Sequence, residues 1–171
     1  MKLLFLLRHA KSSWDDPSLE DHARPLSNRG LKNIPKMVHR LNAWQWGPQL
    51  ILTSSALRAS ETAGLFAQTL YSRPKLEARE ELYTESAFEL MDVIRSCTNV
   101  ADRIMLVGHN PAITNLAQML GLKADSIPTC GVVVFAFEVD CWSAIDSGQA
   151  TVLYFDYPKR ARPQPEELMG D

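Results

Sequence analysis

Three short, unbroken apolar runs constrain this chain more than any other feature: Leu3-Leu4-Phe5-Leu6-Leu7, Leu50-Ile51-Leu52 and Ile104-Met105-Leu106-Val107. A strand wetted on one side alternates apolar and polar residues, so a run without alternation needs cover on both faces. Each run passes through a few polar residues into a segment with helical spacing or turn chemistry. After the second, Leu57, Leu65, Phe66 and Leu70 predict a helix over about residues 56–71; after the third, a helix is expected over 111–120. Strand, polar exit and helix in repetition specify an α/β domain, with a mostly parallel central sheet and helices on both faces. A length of 171 residues suits one such three-layer domain with a real core, not two.

Other segments complete the sketch. Ser27 is placed to cap a helix over 27–44, which Pro35 should kink or delay. Phe88, Met91 and Ile94, three residues apart, predict a helix over 85–97. Two late strands are expected over 132–139 and 150–155, with Asp146-Ser147-Gly148 turning between them. The domain is expected to occupy residues 1–157. Residues 158–171, with three prolines and alternating charges, read as a loosely ordered tail.

Composition excludes several classes. With 18 Lys+Arg against 20 Asp+Glu the net charge is −2, so no basic excess exists to hold a nucleic acid backbone. The three cysteines, Cys97, Cys130 and Cys141, fit neither a disulfide framework nor a C-x-x-C motif. Reduced thiols and a cytoplasmic location are the expectation. The first apolar run ends at Arg8-His9 without a small-residue cleavage site, so it reads as a strand and not a signal peptide. No segment is long enough to cross a bilayer as a helix, and no membrane partner is expected. Nothing in the sequence fixes an oligomeric state.

In open α/β sheets ligands gather beyond the carboxyl ends of the strands. The residues leaving the three runs are Arg8-His9-Ala10-Lys11, then Thr53-Ser54-Ser55 with Arg58 one turn on, then Gly108-His109-Asn110-Pro111. If those strands are parallel neighbours, Arg8, His9, Arg58 and His109 converge. A histidine beside guanidiniums has its pKa pushed down, and neutral imidazole is a nucleophile. Arginine forks match phosphate oxygens, and helix starts just after Ser55 and Asn110 would add N–H donors. The chemistry is that of a phosphate pocket with a histidine to receive the phosphoryl group. His22, in a polar loop, and His39, in a helical stretch, have no such placement and read as structural or solvated.

These residues carry a resemblance. Leu7-Arg8-His9-Ala10 resembles the R-H-G signature of the histidine phosphatase superfamily. Thr53-Ser54-Ser55-Ala56-Leu57-Arg58-Ala59-Ser60-Glu61-Thr62-Ala63 is similar to its S-x-x-x-R-A-x-x-T-A segment, and Leu106-Val107-Gly108-His109-Asn110-Pro111 to the segment with its second histidine. Arg24-Pro25-Leu26-Ser27-Asn28-Arg29-Gly30 and the short length look like the compact SixA-type phosphohistidine phosphatases. The resemblance implies a phosphoglycerate mutase-like fold and a covalent mechanism without metal or organic cofactor. His9 would attack phosphorus, while Arg8, Arg58 and His109 hold the phosphoryl oxygens. The substrate implied is phosphohistidine in a protein, or a small phosphate ester.

One departure is Ala10, where the signature has glycine; its methyl is expected to shift the backbone approach slightly without abolishing activity. Lys11, Arg24, Asp15 and Asn110 are candidates for substrate contacts, with Trp14 on the same rim as Asp15. Glu81 and Glu85 are candidate general acids, with Asp15 a third. Imidazole has a pKa near ~6.5 and leaves phosphorus more readily than an alkoxide, so a site without a clear acid favours a phosphoramidate. Three alternatives stay open at this point. They are a small-molecule phosphomonoesterase of the same superfamily, with a mutase disfavoured by chain length, a non-catalytic phosphohistidine-binding module, and a metal hydrolase. The last suffers from having arginines, not carboxylates, beside its two histidines.

Overall fold

The computed structural model describes residues 1–98 and 101–161. The first apolar run becomes β1 (Lys2–Arg8), and it lies inside a six-stranded sheet. The other strands are β2 (Leu50–Ser54), β3 (Lys75–Arg79), β4 (Arg103–Gly108), β5 (Val132–Phe137) and β6 (Ala150–Asp156). Their order across the sheet is β3-β2-β4-β1-β5-β6. The three runs are therefore adjacent and parallel, β2 to β4 and β4 to β1. β5 runs antiparallel to β1, and β6 antiparallel to β5.

Burial on both faces explains the unbroken runs. Leu4, Leu6, Leu50, Leu52, Ile104 and Leu106 point to one face, where α3 (Ala87–Ser96) and α4 (Ala112–Met119) cover them. Leu3, Phe5, Leu7, Ile51, Met105 and Val107 point to the other, under α1 (Asn28–Asn42) and α2 (Leu57–Thr69). Each fully buried Leu, Ile or Phe side chain contributes about 1.5–3 kcal/mol. Two cores thus share one sheet, and the three-layer α/β architecture expected from the sequence is the one observed.

Four local expectations need correction or completion. Ser27 does cap α1, accepting the Gly30 N–H at 3.1 Å, but Pro35 neither delays nor ends the helix. Pro35 and Leu31 both lie on its exposed side, where water can satisfy the carbonyl that loses its donor. In α3 the buried stripe is Ala87, Leu90, Met91 and Ile94, and Phe88 is 70% exposed. Spacing of i, i+3, i+4 and i+7 outweighs a plain three-residue repeat. β3 had no counterpart in the sequence reading because Lys75, Glu77 and Arg79 give it the charged surface of a sheet edge. Past β6, the carbonyls of Tyr157, Pro158 and Arg160 accept bonds from Arg40 and Lys36 of α1; residues 162–171 of the expected tail lie outside the described residues.

Candidate active site

The strand order brings the exits together. Arg8 pairs with Gly108 in register, and the His9 N–H donates to the Gly108 carbonyl at 3.1 Å, so both histidines leave the sheet side by side. Their ring centroids are 5.1 Å apart. Arg58 sits at the start of α2, just past β2, and its Nε donates to Nε2 of His9 at 3.4 Å. Arg8 donates from Nη1 to the Ile127 carbonyl at 2.9 Å. His9, Arg58 and His109 are all buried, beneath a cleft of about 310 Å³ walled by Asp21, Arg58, Tyr83, Thr84, Glu85, His109 and Asn110.

His9 is held in one tautomer. Its Nδ1 is 2.8 Å from the Ala10 carbonyl, an acceptor, so the proton sits on Nδ1 and the lone pair on Nε2. Burial, more than any neighbour, pushes the imidazole pKa down to about 3; His109, Arg58 and Arg8 push the same way against the Ala10 bond. The guanidiniums therefore matter less than the sequence argument supposed. His109 is lowered to about 4, first by burial and then by Arg58, with Asp21 opposing. Burial and Arg58 also lower the pKa of Arg8. Ala10 is fully buried in the core under α1 and α2, and its N–H donates to Thr62 Oγ1 at 3.0 Å. Its methyl fills core space, and does not intrude on the cleft.

The remaining candidates separate. Asn110 walls the cleft, with its amide engaged by Ser126 Oγ and the Ile127 carbonyl at 3.2 Å each and by Thr114 at 2.7 Å. Glu85 also walls the cleft; Glu81 is exposed and does not. Arg24 is buried, and donates to the Ser13 carbonyl, to Ser12 Oγ at 2.6 Å and to Asp21 at 3.3 Å, with Trp14 stacked on it at 3.2 Å. It braces the loop after β1. Lys11 is exposed, and its carbonyl is engaged by Ser27. Asp15 is exposed and is not part of the cleft wall.

Sequence reasoning missed Asp21. It stands in a 3-10 turn, Asp21–Ala23, distant along the sequence from any strand exit. Its carbonyl accepts Arg58 Nη1 at 2.7 Å, and its Oδ2 accepts Arg58 Nη2 at 3.0 Å and the Tyr83 hydroxyl at 2.6 Å. The Tyr83 hydrogen bond, followed by Arg58, holds its carboxyl down at about 2. Tyr83 itself lies edge-on to His109 and to His22, at 5.4 and 4.9 Å. His22 is exposed, as expected, yet its Nε2 is 3.0 Å from Ser55 Oγ and its ring meets Tyr83 of the cleft wall. The only sequence signal for Asp21 was its place three residues before Arg24, the first residue of the segment that resembles the compact subfamily.

Comparison with known proteins agrees with this geometry. The profile of the histidine phosphatase superfamily (branch 1) matches residues 4–89. An uncharacterised chloroplastic protein of Arabidopsis thaliana is 34% identical over 148 residues, covering 81% of this chain and 68% of its own. An uncharacterised Mycobacterium tuberculosis protein is 29% identical over 164 residues, covering 90% of this chain and 100% of its own. Among solved structures, a protein of Agrobacterium tumefaciens assigned as the phosphohistidine phosphatase SixA superposes with a TM-score of 0.77 at 22% identity, over 92% of this chain and 98% of that one. A mycobacterial glucosyl-3-phosphoglycerate phosphatase superposes at 0.66 with 15% identity, over 89% and 97%. At those identities the structural likeness is one of fold. The matched profile spans the first arginine–histidine pair and Arg58, and the fold supplies His109 beside them: the chain belongs to the histidine phosphatase superfamily, with a SixA-like, phosphoglycerate mutase-like fold.

Proposed function

We propose that this chain is a phosphatase that works through a covalent phosphohistidine at His9 and removes phosphate from phosphohistidine in a protein. The observation that carries the chemistry is the state of His9: neutral, with its Nδ1 proton tied to the Ala10 carbonyl and its Nε2 lone pair beside Arg58. Nε2 attacks phosphorus as the bond to the leaving group breaks, and the leaving group departs with that electron pair and acquires a proton. Arg8, Arg58 and His109 hold the three phosphoryl oxygens and neutralise their charge. Arg8 Nε and His109 Nδ1 are buried without partners among the described residues, and phosphoryl oxygens supply acceptors. Water then attacks phosphorus, the P–Nε2 bond breaks with its pair returning to His9, and phosphate leaves as the water's proton passes to solvent. Two arginines against the two histidines make a donor set that repels a metal cation.

The leaving group argues for phosphohistidine. Asp21, the carboxylate on Arg58, is held ionised and has no proton to give at neutral pH. An imidazole leaves with a pKa near ~6.5 and needs far less protonation than an alkoxide. The SixA structure that shares this fold is assigned to the same substrate class. Exposed Tyr83 in the cleft wall suits a protein surface. We assign the catalytic unit to residues 1–157. The free thiols Cys97, Cys130 and Cys141 support a reducing, cytoplasmic setting.

A second reading rests on Glu85. Its carboxylate is part of the cleft wall, and a carboxylic acid there could protonate an alcohol leaving group, which would suit a small-molecule phosphomonoesterase. The test compares a phosphohistidine-bearing protein, an alkyl phosphate and an aryl phosphate, with chelator present, for wild type, His9→Ala and Glu85→Gln. Turnover of the phosphoprotein that vanishes in His9→Ala and survives in Glu85→Gln is expected. Alkyl phosphate turned over faster than phosphohistidine, and lost in Glu85→Gln, would replace this reading with the second.

A further inference from the structure

We propose that Ser54 sets the tautomer of His109, so that this imidazole meets the phosphoryl group as a neutral Nδ1–H donor. Ser54 ends β2 and is fully buried. Its Oγ accepts the backbone N–H of Ala56 at 3.2 Å and stands 2.7 Å from Nε2 of His109. A hydroxyl has one proton to give, and Nε2 is the acceptor within its reach among the described residues.

The two neutral tautomers can be compared by counting satisfied groups. With the proton on Nδ1, Ser54 receives from Ala56 and donates to Nε2, and only Nδ1–H lacks a partner. With the proton on Nε2, Oγ receives two N–H groups, its own O–H is buried and unpaired, and Nδ1 is a bare buried nitrogen. Buried polar groups without partners are costly, so the first tautomer is favoured. It is also the one that phosphate completes. Nδ1 is buried without a partner, in a ring that walls the cleft beside His9. Nδ1–H offers an oxygen a hydrogen; a bare Nδ1 would turn a lone pair against it. The third state, imidazolium, is opposed by burial and by Arg58 and Arg8, with Asp21 acting the other way.

Ser54 is a positioning residue: it touches His109 and Ala56, not the reacting atoms. The inference rests on the phosphatase reading only for what Nδ1–H donates to; the tautomer can be read without any turnover. Uniformly 15N-histidine-labelled protein carries four histidines, and the loss of one set in His109→Gln identifies the resonances of His109. In wild type at pH 7 these are expected to show a protonated Nδ1 and a bare Nε2, with the Nδ1–H signal moving on addition of inorganic phosphate. Ser54→Ala should move the population toward Nε2–H and lower kcat by roughly 10–100-fold. Ser54→Thr, which keeps the hydroxyl, should restore both the tautomer and much of the rate. An Nε2–H or doubly protonated His109 in wild type would overturn the proposal, as would an unchanged tautomer in Ser54→Ala however far activity fell. Should Ser54→Ala not fold, the wild-type and Ser54→Thr spectra decide. The expected tautomers in a protein that hydrolyses none of the phosphate substrates would instead mark the failure of the phosphatase reading.

Discussion

At the scale of single residues, the site is a set of buried bases kept neutral in cationic surroundings, and that has a measurable cost in acid. His9 and His109 titrate at about 3 and about 4 in the folded protein, below the ordinary 6.5. As pH falls, the unfolded chain binds their protons first. Their contribution is therefore complete above about pH 6.5 and is lost as pH drops toward 4, at roughly 1.4 kcal/mol per pH unit for each histidine. Urea unfolding at pH 7, 6 and 5 should show a steeper loss for wild type than for a His9→Gln/His109→Gln variant; parallel slopes would contradict the assignment. Asp21→Asn tests the residue that the sequence did not reveal. Removing its charge frees Arg58, and kcat is expected to fall roughly 10–100-fold by misplacement of the guanidinium. Thermal stability should change little, because the Asp21 side chain is 52% exposed. Arg8, His9, Arg58 and His109 were legible because strand exits are written into the sequence as ends of apolar runs. Asp21 was not, because its partners Arg58 and Tyr83 are 37 and 62 residues away and meet it only through the folded chain.

At the scale of elements, the loop that carries His9 is positioned by the start of α1. Ser27 donates to the Lys11 carbonyl from both its N–H and its hydroxyl, at 2.8 and 3.0 Å. Gly30 lets the helix come that close: a Cβ there would lie 2.2 Å from the same carbonyl oxygen. Gly30→Ala is expected to destabilise by about 1–3 kcal/mol, since backbone and not a flexible side chain must move. It should also lower kcat, because Lys11 follows His9 by two residues; a denaturation midpoint and a kinetic assay check both. The Ser27 cap was readable from the sequence, and the close approach was not. β3 and the buried stripe of α3 show the same limit. A charged edge strand gives no periodic signal, and an exposed Phe88 imitates a core residue until Ala87 and Leu90 are seen facing inward.

At the scale of the whole molecule, the far edge of the sheet is tied to α1 by a buried cluster. Asp156, fully enclosed at the end of β6, accepts Arg40 Nη1 at 2.9 Å and the Tyr154 hydroxyl at 2.6 Å. Burial, and then the bond to Asp156, raise the Tyr154 pKa. Asp156→Ala would leave the Arg40 guanidinium without its carboxylate, and a loss of about 3–5 kcal/mol is expected by chemical denaturation. The fold class itself was readable, because sandwiching a sheet between helices is what unbroken apolar strands require. The antiparallel turn-back of β5 beside β1 was not, because strand direction depends on connections that no local pattern records. One consequence of the strand order concerns time. β1 is made first, yet its neighbours on either side are β4, beginning at Arg103, and β5, beginning at Val132. On the ribosome His9 is synthesised 100 residues before His109, and its strand must wait, greasy and unpaired, for most of the chain to emerge. The two histidines therefore come together late and at once, when β4 closes against β1.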